Sequence, residues 1–366
     1  MPSVRHPVPV HRSIQQHPRA EGKDGLQYVP ALDGLRAAAV LLVLAFHARA
    51  PGFNGGFLGV DLFFVLSGYL ITRLLADQHD REGSIKIGHF YVRRLRRLYP
   101  ALILLVIAYL ACTSTLFPEA IDRARDAAVA ILYFSDYGQA YWQVPKVLGH
   151  TWSLSVEEHF YLIWPLAMIL VLRLDNKRRV LALLTMFLAA SAWRWLVLDW
   201  PTSWSHVYFG FDTRLSGLIL GGAIGLWRPV VQAWFPFFGI TLFTVAVWLA
   251  DWRLPASLKG LLLLAEIGAA LIVLGAGHIK FLAMRPIAWL GRMSYGIYLW
   301  HYPVVYWMRR SGHFDWQEIF MVAAVLSTVM AALSYYFVER RFHKRQTESH
   351  ADHSVPPRGL FTESNG

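Results

Sequence analysis

The sequence predicts an all-α protein, a polytopic transmembrane helix bundle of about ten spans with both termini in the cytosol. Three observations lead there. Hydrophobic residues make up 55% of the 366 and mean hydropathy is +0.37. They gather in runs near the ~20 residues needed to cross a hydrocarbon core, not in the short periodic segments of a soluble domain. Lys and Arg are also divided unevenly between alternate connecting segments.

The candidate spans are 32–50, 56–76, 99–117, 151–172, 179–198, 207–227, 233–250, 258–277, 287–307 and 317–338. The stretch 127–142 (AAVAILYFSDYGQAYW) is apolar but short and carries Asp136, Gly138 and Gln139. It is expected to be a re-entrant or interfacial piece of a long loop. With the N-terminus inside, cytosolic segments hold 23 of the 35 Lys and Arg and outer loops hold 8. An eleventh span at 127–142 would put DNKRR at 175–179 outside, against that bias.

A net charge of +11 would suggest nucleic acid in a soluble protein. Here the cytosolic loops account for it, and no nucleic-acid partner is expected. The single cysteine, Cys112, excludes an intrachain disulfide and a cysteine metal site, and no metal is expected. Residues 1–25 are polar, basic and rich in His and Pro, without the apolar core of a signal peptide. They are expected to form a disordered cytosolic tail, as are residues 346–366, leaving 26–345 as the membrane domain.

Chemistry-bearing residues lie inside these apolar runs. Arg36 and His47 share the first, LDGLRAAAVLLVLAFHA. Eleven residues on a helix is three turns plus about 20°, so both leave one face, about 16 Å apart along the axis. Ionisable groups at membrane depth usually face a protein-lined or wet interior. The pair is therefore a candidate polar path with His47 as proton acceptor, or else an arginine at the surface and a histidine capping the far end. GHFYVRRLRRLYPAL puts Arg93, Arg94 and Arg97 at the cytosolic mouth of span three. They could grip a phosphorylated ligand through paired donors, or fix topology and bind anionic lipid.

Asp61, in GVDLFFVLSGYLIT, could bridge an arginine, orient a histidine or stay at the interface. In HTWSLSVEEHFYLIWP, His150, Glu157 and Tyr161 fall at i, i+7 and i+11, one stripe if a helix runs through them. Glu157 and Glu158 both need partners there, either as helix-to-helix glue or in a site. Arg214 precedes Gly217, Gly221 and Gly225, whose spacing suggests close helix packing; ligand contact and a buried ion pair are open for the arginine. Ser294, Tyr298 and His301 share a face ahead of Pro303, and Glu339 near the end suits an interface or a salt bridge.

In order, LDGLRAAAVLLVLAFHA, GFLGVDLFFVLSGYLIT, FYVRRLRRLYPAL, HTWSLSVEEHFYLIWP, DTRLSGLILGG, LGRMSYGIYLWHYP and SYYFVERRF resemble the membrane-bound acyltransferase-3 family from about Tyr28 to Lys344. The resemblance implies transfer of an acyl group, commonly acetyl from acetyl-CoA, to hydroxyls of surface or exported carbohydrates such as exopolysaccharide, O-antigen or glycolipid. It also implies a bacterial inner membrane location. By position, Arg36 and His47 match the family's arginine–ten–histidine pair, and Arg93, Arg94 and Arg97 its donor-associated RRxxR element. His150, Glu157 and Glu158 fall in its WSLSVE block. The implied mechanism has His47 as base, with Glu157 orienting His47 or His150 and with Arg214, Tyr298 and His301 as possible oxyanion donors. His159 stands where glutamine is commoner, and Arg341 where proline is usual. The soluble esterase-like domain that some relatives append is not seen. The membrane unit is thus expected to complete transfer itself or to pass the acyl group to a separate envelope acyltransferase. A proton-coupled transporter or glycolipid flippase is the alternative, and it would leave acyl-CoA uncleaved.

Overall fold

The computed structural model describes residues 28–118, 120–199 and 204–340. The two expected tails, 1–25 and 346–366, and Arg341 lie outside the described residues. Helices α1 (Pro30–His47), α2 (Gly59–Glu82) and α3 (Ile87–Leu116) come first. The short α4 (Arg123–Ile131) and α5 (Ser135–Tyr137) precede α6 (Trp152–Val171) and α7 (Asn176–Leu198). Then follow α8 (Trp204–Phe209), α9 (Phe211–Trp227), α10 (Phe235–Leu249) and α11 (Leu262–Gly275). The last are α12 (Arg285–Arg292), α13 (Ser294–Ser311) and α14 (Trp316–Ser334). No strand occurs among the described residues.

The protein is an all-α bundle of membrane-crossing helices. Seven stretches are long and apolar enough to span a bilayer: Pro30–His47, Gly56–Glu82, Ile87–Leu116, Gly149–Val171, Asn176–Leu198, Ser257–His278 and Trp316–Glu339. The other three expected spans fall on α9, on α10 and on α12 with α13. The region 127–142 forms only α4, α5 and a π-turn at Gly138–Trp142, each too short to cross. His159 on α6 pins this region through its Nδ1, 3.0 Å from the buried carboxylate of Asp136.

Burial separates the inner helices from the outer ones. Of the apolar window in α2, 67% is buried, against 28% in both α7 and α14. Leu188 on α7 and Val325, Val329 and Leu333 on α14 turn outward, as lipid-facing residues should. Helix α2 lies against α9, and glycines permit the approach. A Cβ at Gly68 would collide with the Leu218 carbonyl, and one at Gly221 with the Val65 carbonyl. Gly217 would meet only side chains at ordinary distances. Gly221→Ala is therefore expected to cost about 1–3 kcal/mol of stability in detergent-solubilised protein, through overpacking. Gly217→Ala should be neutral or mildly stabilising; equal thermal midpoints for the two variants would contradict the packing argument.

Buried charges tie the inner helices together. Asp61 on α2 meets Arg214 on α9 at 3.0 Å, with both side chains sealed from solvent. The Arg214 guanidinium also lies over the rings of Trp152, Tyr208 and Phe64. A second pair joins Arg194 on α7 to Glu266 on α11 at 3.0 Å, with the Ser216 hydroxyl bonded to both.

Candidate active site

The α3 helix starts at Ile87, so Arg93, Arg94 and Arg97 belong to its early turns and not to a connecting loop. Arg94 and Arg97 border a small cavity of about 80 Å³ together with Arg36, Arg292, Ser67, Glu157 and Tyr161. Four guanidinium groups thus surround one carboxylate. Arg36 is braced by Asp33 at 3.2 Å, and Arg94 lies 4.8 Å from the centre of the Tyr161 ring. Arg93 does not line this cavity.

Glu157 accepts hydrogen bonds from the hydroxyls of Ser67 (2.8 Å) and Tyr161 (3.3 Å). Its expected role beside His47 or His150 is not realised. The reason is axial distance: seven residues at about 1.5 Å each set His150 and Glu157 about 10 Å apart along the chain, and they border different cavities. Glu158 keeps one buried carboxylate oxygen without a hydrogen-bond partner.

At the other end of the bundle lies a cavity of about 720 Å³. His47, His150 and Tyr302 border its depth, with Trp152, Trp204, Tyr208 and Phe209. His47 Nδ1 is 3.0 Å from His301 Nε2, a contact across 254 residues of sequence. His301 Nδ1 in turn lies 2.6 Å from the Tyr298 carbonyl. A carbonyl only accepts, so His301 carries its proton on Nδ1 and offers a lone pair at Nε2. His47 must then donate from Nδ1, which leaves its Nε2 unprotonated beside the cavity.

The second histidine is set by a proline. Pro303 lies inside α13 and has no N–H to give the carbonyl four residues back, that of Leu299. His150 Nε2 takes that place at 3.0 Å, so His150 holds its proton on Nε2. Its Nδ1 is buried without a hydrogen-bond partner. Pro303 thus frees an acceptor within a continuous helix.

The two cavities lie back to back. Residues 149, 150 and 152 border the large one, and Ser153 and Leu154 the small one. Tyr298 seals the partition: its hydroxyl donates to the His150 carbonyl at 3.0 Å and meets Ser153 Oγ at 2.6 Å. The continuous α1 carries Arg36 to one cavity and His47 to the other, as the eleven-residue spacing requires.

The structure therefore brings His47, His150, Tyr298 and His301 together, and separately Arg36, Arg94, Arg97, Glu157 and Tyr161. Asp61 and Arg214 form a structural pair behind the large cavity. Arg214, Tyr298 and His301, the expected oxyanion donors, are each engaged in protein contacts. Glu339 is buried against Ser334 Oγ at 2.8 Å. Sequence reasoning missed the Arg194–Glu266 pair, although a lone carboxylate within LLLLAEIGAALIVLG was a visible signal. It also missed the direct His47–His301 contact and the roles of Gln139 and Gln143 in lining the large cavity. Among the described residues no group of His, Cys, Asp and Glu is arranged to hold a metal ion.

Fold and site together define a polytopic membrane protein whose bundle is entered by polar cavities from both ends. A family model described as "Acyltransferase domain" matches residues 29–339, and the chain belongs to this acyltransferase-3 family. It is 33% identical over 358 residues to the peptidoglycan O-acetyltransferase OatA of Listeria monocytogenes, covering 87% of this chain and 56% of that protein. It is 34% identical over 353 residues to the O-acetyltransferase OatA of Staphylococcus aureus, covering 87% and 58%. The chain thus spans little more than half the length of these curated relatives. No solved structure matches it.

Proposed function

We propose that the chain is an integral membrane O-acyltransferase of the bacterial cytoplasmic membrane. It moves an acyl group, acetyl by the relatives' names, from cytosolic acyl-CoA to a hydroxyl of a cell-envelope carbohydrate. Peptidoglycan is the first acceptor to test, because OatA of Listeria is named for it. One observation carries the reading: an imidazole lone pair, fixed by a second histidine, borders a large cavity that backs onto a guanidinium-lined one.

In this reading both termini and the arginine end face the cytosol. Arg36, Arg94 and Arg97 match the charge of the donor's phosphates. A cavity of about 80 Å³ suits a slender pantetheine arm and not the nucleotide. The thioester passes the Tyr298–Ser153 partition to reach His47. His47 Nε2 takes the proton of the acceptor hydroxyl as that oxygen attacks the thioester carbonyl carbon. The carbon–sulfur bond then breaks, the thiolate takes the proton from His47, and an ester and free CoA thiol result. His301 accepts the Nδ1–H bond throughout and keeps the ring in one orientation. Hand-over to a separate envelope acyltransferase would retain the same donor half.

Purified protein in liposomes, given acetyl-CoA and a cell-wall glycan, is expected to release CoA thiol in step with glycan acetylation. A transporter or flippase would release none. Arg94→Gln is expected to raise the donor KM about tenfold or more, the loss of a charge-assisted contact of about 1.5–3 kcal/mol. An unchanged KM would leave the arginine end a topology and lipid signal.

A further inference from the structure

Four cations stand on the rim of the large cavity: Arg49, Lys146, Arg253 and Arg309, all exposed. A single carboxylate, Asp251, shares the lining, and it accepts a backbone N–H from Arg253. None of the four forms an ion pair among the described residues. Two other cations of the expected outer loops are matched: Lys259 meets Asp199, and Arg125 meets Asp122. Four of the eight Lys and Arg of the expected outer loops thus stand around one opening without an ion pair. Like charges converging on a concave, low-dielectric wall raise the potential inside and concentrate the opposite sign. Trp152, Trp204 and Tyr208 add aromatic surface to the same lining, which His47 also borders.

We propose that this cavity selects an anionic glycan, one carrying a carboxylate or phosphate close to the hydroxyl that is acylated. The inference rests on the acyltransferase reading for what happens to that hydroxyl. It does not rest on it for the binding. Guanidinium and ammonium groups on the rim hold the anion, aromatic faces take the sugar rings, and the neighbouring hydroxyl is left facing His47.

The test uses one sugar in two charge states. An N-acetylglucosamine–N-acetylmuramic acid tetrasaccharide with free lactyl carboxylates is compared with its neutral methyl ester. Both are titrated against the full chain in nanodiscs of neutral lipid. The free acid is expected to bind at least about tenfold tighter at low salt, and the gap should close as ionic strength rises. Lys146→Gln with Arg253→Gln, two exposed positions, should shrink the gap to about twofold while CoA binding stays unchanged. Equal binding of acid and ester, or no binding of either, overturns the proposal. So does loss of CoA affinity in the double variant, which would give the cavity to the donor. Displacement of the acid by anionic lipid in the nanodisc would make the rim a headgroup site and also overturn it. If the acid is preferred but no CoA thiol is ever released, the acyltransferase reading fails and the anionic cavity stands.

Discussion

Replacing His47 with Ala is expected to lower acyl transfer by about 10²–10⁴-fold, the contribution of a positioned base. The protein should remain folded in the membrane, because His47 borders a cavity and is not part of the packed core. The sharper arm of the experiment is at His301. His301→Leu removes the acceptor for His47 Nδ1–H and frees the ring to rotate and change tautomer, so kcat should fall about 10²-fold with little change in donor KM. His301→Gln offers an amide oxygen as replacement acceptor and should retain more activity than His301→Leu. Thiol release and glycan ester formation, followed together, check both. Full activity in His47→Ala, or equal loss in the two His301 variants, would remove the histidine pair from the chemistry.

The second large effect is on stability. Asp61→Ala leaves the Arg214 guanidinium buried with no counter-charge, a loss of about 3–5 kcal/mol for a broken buried pair. Replacing both partners with apolar residues, Asp61→Leu with Arg214→Met, should recover most of it, because burying an unmatched charge is the main penalty. Breaking the exposed Lys86–Glu82 pair (3.1 Å) should cost about 0–1 kcal/mol. Thermal unfolding in one detergent ranks the three. A double variant as unstable as Asp61→Ala alone would mean that the pair contributes specific packing and not mere neutralisation.

Legibility in the sequence followed the range of the interaction. Arg36 and His47 could be placed on one face because eleven residues of a single helix are governed by local geometry. Gly221 could be read as a packing position for the same reason. The stretch 127–142 was recognisable as non-spanning by its length, its polar residues and the charge bias of the segment that follows. His150 and Glu157 share a sequence stripe, yet the fold divides them between two cavities, because a wall packed across the helix leaves no mark in the hydropathy. Glu157 followed: it was assigned to a histidine, while the fold gave it Ser67 and Tyr161.

The amino-acid sequence by itself determined the solvent in which this chain folds, its all-helical class and the family to which it belongs. Those properties follow from apolar run length, charge distribution and motifs in order. Tertiary structure alone decided which ionisable groups are structural and which face a cavity. Asp61 and Arg214 closed on each other, while His47 met His301 from the far end of the chain. A buried charge or imidazole takes its role from the partner that helix packing supplies, and that partner is seldom a neighbour in sequence.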